Sequence, residues 1–209
     1  MKKKILIASF AVLLTILIIV SALSAIFACD PWGYRVQVSP EEQTLRQSLI
    51  HTAQSWLGAK EGDSGHAEIL QIYNQHTPLA QNYVVKPEDN WCTAFVSAAA
   101  IVTDLTDIIP TECGCQRQIA LFQQLKQWEE EDTYLPLPGD IIYFSSHGVN
   151  LLENDAWSDH VGIVVGTWGP FIRVIEGNNN NAVRCRTLIS LDPTIRGYAT
   201  PDYSKKAAQ

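Results

Sequence analysis

Acidic residues are missing from the first 29 positions of this chain, and no charge of either sign falls between Ile5 and Ala28. Cysteine is scarce: five in 209 residues, with neither the density of a small disulfide scaffold nor the spacing of a paired zinc ribbon. No internal repeat is visible, and the asparagine run at 178–181 is only of loop length. Hydrophobic residues make up 46% and charged residues 18%, with 12 Gly and 10 Pro. Those proportions exclude collagenous, low-complexity and wholly disordered chains and leave material for one globular core. Three of the 15 basic residues are Lys2, Lys3 and Lys4; the remaining 12 face 22 acids, a balance of −10 for the part that folds. So acidic a surface repels phosphate, which excludes nucleic acid as its partner.

The uncharged stretch from Ile5 to Ala28 is 24 residues long. At about 1.5 Å per helical residue it is long enough to cross a hydrocarbon core of roughly 30 Å, and the preceding lysines hold that end in the cytoplasm. An uncleaved anchor is the expectation, since the run exceeds a usual signal core. Two other fates compete with it: signal cleavage at Ala22-Leu23-Ser24, and lipidation of Cys29 in the Ile26-Phe27-Ala28-Cys29 box. Each puts the rest of the chain outside the cytoplasm, membrane-anchored in the first case and secreted or lipid-anchored in the others. The expected organisation is an anchor or signal segment over 1–28, a linker over 29–40, one folded domain over 41–203 and a polar tail over 204–209.

Within the domain, Ser39-Pro40-Glu41-Glu42 reads as a helix start, and Leu45, Leu49, Ile50, Ala53 and Trp56 continue a helical face up to Gly58. Further helices are expected over 67–76, over 91–105, opening at Cys92 with Asp89 and Asn90 as caps, and over 116–130. After Pro136 the pattern changes to short β-rich runs over 140–145, 161–167 and 171–176, with a last strand over 183–188 or 195–198. Helices first and antiparallel strands second predict an α+β domain.

A thiol at the first turn of a helix meets unpaired N–H groups and the positive end of the dipole, both of which favour the thiolate. Cys92 is in that position. Of five histidines only His160 opens a strongly apolar strand, whereas His51, His66, His76 and His147 lie in polar contexts expected at the surface. The next strand ends in Glu176-Gly177-Asn178, which offers a carboxylate and a carboxamide to orient an imidazole.

The ordered blocks Trp91-Cys92-Thr93-Ala94-Phe95-Val96-Ser97, Pro138-Gly139-Asp140-Ile141-Ile142-Tyr143-Phe144, Asp159-His160-Val161-Gly162-Ile163-Val164 and Ile175-Glu176-Gly177-Asn178 closely resemble the CHAP (cysteine, histidine-dependent amidohydrolase/peptidase) family from about Glu41 to Tyr203. The resemblance implies a papain-like α+β fold, N-terminal helices packed on a small antiparallel sheet, and cleavage of amide bonds in bacterial peptidoglycan. It implies Cys92 as nucleophile, His160 as general base and acid, and Glu176 as orienting residue, with Asn178 sharing or assisting that role. Asp140 reads as structural, and Asp159 as a turn residue. Trp91, Trp157 and Trp168 fall near the expected catalytic end and would line a groove or fill core. The segment Lys86-Pro87-Glu88-Asp89-Asn90 lacks the alternating acids of a calcium loop, so neither metal nor cofactor is expected. Cys113-Gly114-Cys115 is neither a redox pair nor a zinc site by spacing, and one of the two could bridge to Cys185. The competing functions are an NlpC/P60-type D,L-endopeptidase, whose third residue is commonly histidine, and a wall-binding or assembly module without turnover.

Overall fold

A computed structural model describes residues 38–130, 134–146 and 157–208. The expected anchor over 1–28 and most of the linker lie outside these residues, as does His147. Among the described residues, no helix is long and apolar enough to cross a membrane.

The chain is α+β. Helices α1 (Pro40–Ser55), α2 (Ser64–Gln75), α3 (Cys92–Val102) and α4 (Cys115–Gln124) precede all the described strands, and a short α5 (Tyr203–Ala207) follows them. Strands β1 (Trp128–Glu129), β2 (Ile141–Phe144), β3 (His160–Trp168), β4 (Phe171–Glu176), β5 (Arg184–Ile189) and β6 (Ile195–Ala199) form one open sheet in the order β1-β6-β2-β3-β4-β5, with every pair antiparallel. Both expected versions of the last strand exist, as β5 and β6.

Ser39 caps α1 by accepting from the Glu42 N–H at 3.1 Å. The helix expected over 116–130 is shorter, because Lys126 takes a left-handed φ of 57° and Trp128 then pairs with Ala199 in the sheet. The expected caps of α3 are also corrected. Asp89 turns away, accepting from Lys86 N and Tyr83 Oη, both at 2.8 Å, and Asn90 pairs with Asn178. Trp91 takes the cap position and supplies no side-chain bond, so the positive end of α3 is left uncompensated.

The centre of the sheet is buried on both faces, which explains the near-continuous apolar run of β2. Ile141, Tyr143, Val161, Ile163, Val165 and Ile175 face the main core with the helices. Ile142, Phe144, Val164, Ile172 and Val174 build a second, smaller core on the other side. By alternation His160, Gly162 and Glu176 belong to that second side, while α3, buried along nearly its whole length, packs on the first. Asp140 anchors the turn into β2. Its buried carboxylate accepts from Arg46 Nη1 at 2.9 Å, Tyr134 Oη at 2.6 Å and Leu137 N at 2.8 Å.

Candidate active site

Three elements converge on Cys92, and small residues let them approach. A Cβ on Gly177 would stand 2.4 Å from Phe95 Cβ and 3.0 Å from Trp91 Cζ3, so the chain leaving β4 lies directly on the first turn of α3. A Cβ on Gly162 would stand 2.7 Å from Glu176 Cγ. Glycine there gives the carboxylate room to lie across β3 and reach the histidine two residues earlier. The start of β3 is fastened by Ser158, whose Oγ donates to the Phe144 carbonyl at 2.9 Å and whose N–H donates to Gln116 Oε1 at 3.3 Å.

In the resulting geometry the His160 imidazole lies between Cys92 and Glu176. Its Nε2 is 3.3 Å from Glu176 Oε1, which leaves Nδ1 for the thiol. Hydrogen bonding from Cys115, opposed by burial and reinforced by the bond and charge of His160, holds the Cys92 thiol well below its ordinary value. Burial of His160 works against its proton, but its bonds to Cys92 and Glu176 outweigh that and raise it to about 10. The two directions describe one thiolate–imidazolium pair, the protonation state a cysteine nucleophile needs.

Glu176 is completely buried, and its charge is compensated by three groups. Arg186 Nε lies 3.0 Å and 2.9 Å from its two oxygens, Asn179 Nδ2 donates to Oε2 at 2.6 Å, and His160 completes the set. Arg186 also covers the Phe144 ring, with Cζ 4.3 Å from its centroid. Asn178 stands elsewhere: its amide donates to Asn90 Oδ1 at 3.4 Å in an exposed position. The carboxamide on Glu176 is Asn179, one residue further on.

Sequence reasoning passed over Arg186 and Asn179, and it did not place Cys115 beside Cys92. Arg186 faces Glu176 only because β5 pairs with β4, with Val174 opposite Arg186, and a pairing register is not written in a local pattern. Cys115 Sγ lies 3.8 Å from Cys92 Sγ and 3.1 Å from Thr93 Oγ1. Its bond to Cys92 and its burial push its own thiol well up, so Cys115 is the protonated member of the pair. It does not bridge to Cys185: Cys92, Cys113 and Cys115 are free thiols, whereas Cys185 is disulfide-bonded.

Two further expectations are corrected. His66 is buried rather than at the surface, accepting from Gly62 N at 3.0 Å and packing on Trp91 with ring centroids 4.8 Å apart. Trp168 stacks on Phe171 at the far end of β3, about 26 Å along the strand from His160 at about 3.3 Å per residue. Trp91 is core. Trp157, exposed, is the tryptophan at the site, where it borders a cleft of about 240 Å³ together with Cys92, Thr93, Cys115 and Asp159. That cleft shares Asn90, Cys113 and Arg117 with a second hollow of about 380 Å³ beside Tyr83. Asp159 accepts from Ser146 N at 3.0 Å and from the Ser146 hydroxyl, a turn role. Among the described residues, no group of three or more His, Cys, Asp or Glu is arranged to hold a metal ion.

No protein-family model and no curated protein matches the chain. Solved structures align with it only at low similarity. A crystal structure of Ly7917 shares 11% identity over 76% of this chain and 62% of that one, with a TM-score of 0.42. A crystal structure of Ly7917 with the hydrolyzing product of MDP shares 13% identity over 65% of this chain and 62% of that one, with a TM-score of 0.35. The chain thus spans less than two thirds of the length of the protein it aligns with.

Proposed function

We propose that this protein is a papain-like cysteine amidohydrolase or peptidase of the CHAP type that cleaves amide bonds in bacterial peptidoglycan, held outside the cytoplasm by its N-terminal segment. One observation carries the reading: Cys92, at an uncompensated helix N-terminus, shares a proton system with His160, whose far nitrogen meets a buried carboxylate 3.3 Å away. The peptidoglycan substrate rests on the resemblance of the four sequence blocks.

The chemistry is acyl transfer. The Cys92 thiolate forms a C–S bond to the scissile carbonyl carbon, and the carbonyl oxygen becomes an oxyanion beside the first-turn N–H groups of α3. Phe95 is the first residue in this turn whose N–H closes on the helix backbone, at 2.9 Å to Trp91 O, so the N–H groups of Cys92, Thr93 and Ala94 precede the helical ladder. His160 gives its proton to the leaving amine as the C–N bond breaks. The neutral imidazole then takes a proton from water, whose oxygen attacks the thioester and releases Cys92. Glu176 touches no substrate; it holds the imidazole and its charge, while Arg186 and Asn179 hold Glu176.

Digestion of purified peptidoglycan by the full chain, wild type beside Cys92→Ala, tests the reading with mass spectrometry of the soluble fragments. Release by the wild type alone supports it, and the new termini separate an N-acetylmuramoyl-L-alanine amidase from a stem or cross-bridge endopeptidase. Binding without release by either protein contradicts it in favour of a wall-binding module.

A further inference from the structure

We propose that Cys92 and Cys115 form a reversible disulfide site at which a hydroperoxide switches the nucleophile off. The two sulfurs lie 3.8 Å apart, each on the first residue of its helix, and both side chains border the same cleft. A disulfide needs about 2.05 Å between sulfurs, so closure asks for less than about 2 Å of movement, within reach of side-chain rotation. Thr93 Oγ1, 3.1 Å from Cys115 Sγ, keeps that thiol beside Cys92. Although both residues are more than nine-tenths buried, the cleft gives a molecule as small as hydrogen peroxide access to the sulfurs.

The steps balance without another reactant. The Cys92 thiolate attacks one peroxide oxygen, the O–O bond breaks, and the departing hydroxide takes a proton to become water, leaving Cys92 as a sulfenic acid. Cys115 sulfur then attacks the Cys92 sulfur, the S–O bond breaks, and hydroxide leaves with the Cys115 proton as a second water. Two thiols have lost one electron each and the peroxide has gained two. A hydroxyl would hydrogen-bond to the Cys92 thiolate as well as a thiol does, but only a thiol can resolve the sulfenic acid. Cys113 also borders the cleft, but its Sγ is engaged by Glu112 Oε1 and Arg117 Nη2, both at 3.5 Å. Cys115 is therefore the resolving residue.

The test uses the full reduced chain, exposed to a small excess of hydrogen peroxide, blocked with a maleimide, digested and mapped by mass spectrometry. The expected product is a Cys92–Cys115 peptide pair lighter by two hydrogens. Iodoacetamide labelling of Cys92 is lost with its formation and returns in full after dithiothreitol. Cys115→Ser keeps a hydrogen-bond donor at the position, so it folds. It gives no such pair, and its Cys92 proceeds to sulfinic acid, beyond rescue by dithiothreitol. Sulfinic acid on wild-type Cys92 without the pair, a Cys92–Cys113 link, an unoxidised Cys92, or full recovery of Cys115→Ser would each overturn the proposal. Because thiol chemistry is read directly, this outcome is independent of whether the chain cleaves peptidoglycan.

Discussion

Replacing Glu176 by Gln keeps the shape of the side chain and removes its charge, and the surroundings determine what that costs. The carboxylate is wholly buried and accepts from Arg186, Asn179 and His160, whereas the amide offers one oxygen and turns an N–H₂ toward a donor. Two effects follow. Breaking a buried ion pair costs about 3–5 kcal/mol. Arg186 is 36% exposed and can turn its charge to water, which lowers the figure to about 2 kcal/mol, or a fall in Tm of about 4–8 °C for a domain of this size. The second effect is catalytic. Losing a hydrogen bond to a charged imidazolium removes about 1.5–3 kcal/mol, which at about 1.4 kcal/mol per decade is a roughly 10- to 150-fold loss. The loss falls on kcat rather than KM, because Glu176 touches the histidine and not the substrate. The alkaline limb of kcat/KM, set by the His160 proton near 10 in the wild type, moves toward neutrality. Thermal denaturation and a pH profile of peptidoglycan turnover measure the two effects separately. A variant with a lowered Tm but a wild-type kcat and an unmoved alkaline limb would refute the positioning role and leave Glu176 a structural carboxylate.

Gly177→Ala forces a methyl against the Phe95 side chain at 2.4 Å, and overpacking of this kind costs about 1–3 kcal/mol. The expected result is a lowered Tm together with slower Cys92 alkylation, since the clash separates β4 from α3; unchanged values of both would contradict the close approach. Asp140→Asn removes one of the two carboxylates facing buried Arg46, whose Nε keeps Glu42 at 2.8 Å, and costs about 1–3 kcal/mol, visible as a shift in urea midpoint, while Cys92 keeps its reactivity in the fraction that remains folded. The pH dependence of wild-type stability has a definite sign. His160 is raised on folding, so its contribution is complete below about 6.5 and fades as pH climbs through about 10. Cys92 is depressed, so its contribution is complete above 9.0 and fades as pH falls through its lowered value. Denaturation midpoints measured between pH 8 and 11 should therefore fall on the alkaline side in the wild type and less in His160→Gln.

What the sequence made legible was whatever rests on local pattern. Helical spacing from Leu45 to Trp56 and the apolar run of β3 depend on period alone, and the α+β order followed from them. The position of Cys92 at a helix start could be read because Asp89 and Asn90 interrupt the chain before an alanine-rich run, although neither residue caps the helix. What stayed hidden depends on pairing between distant segments. Arg186 meets Glu176 through the β4–β5 register, and Cys115 meets Cys92 because the starts of α3 and α4 converge. Trp128 looked helical because its spacing from Leu125 continues a period that the left-handed Lys126 breaks. His66 looked like a surface residue among polar neighbours, yet Trp91 covers it.

The central claim is that Cys92 is a thiolate sustained by His160 in the folded chain. Its most direct measurement is the rate of Cys92 alkylation by iodoacetamide across pH 4 to 9, in the wild type and in His160→Gln. The expected wild-type rate is already at its plateau near pH 6, while the variant, which keeps the Cys115 hydrogen bond but has lost the imidazolium, reacts more slowly at pH 6 and is still rising toward pH 9. Identical profiles in the two proteins, or a Cys92 that reacts only after unfolding in urea, would contradict it.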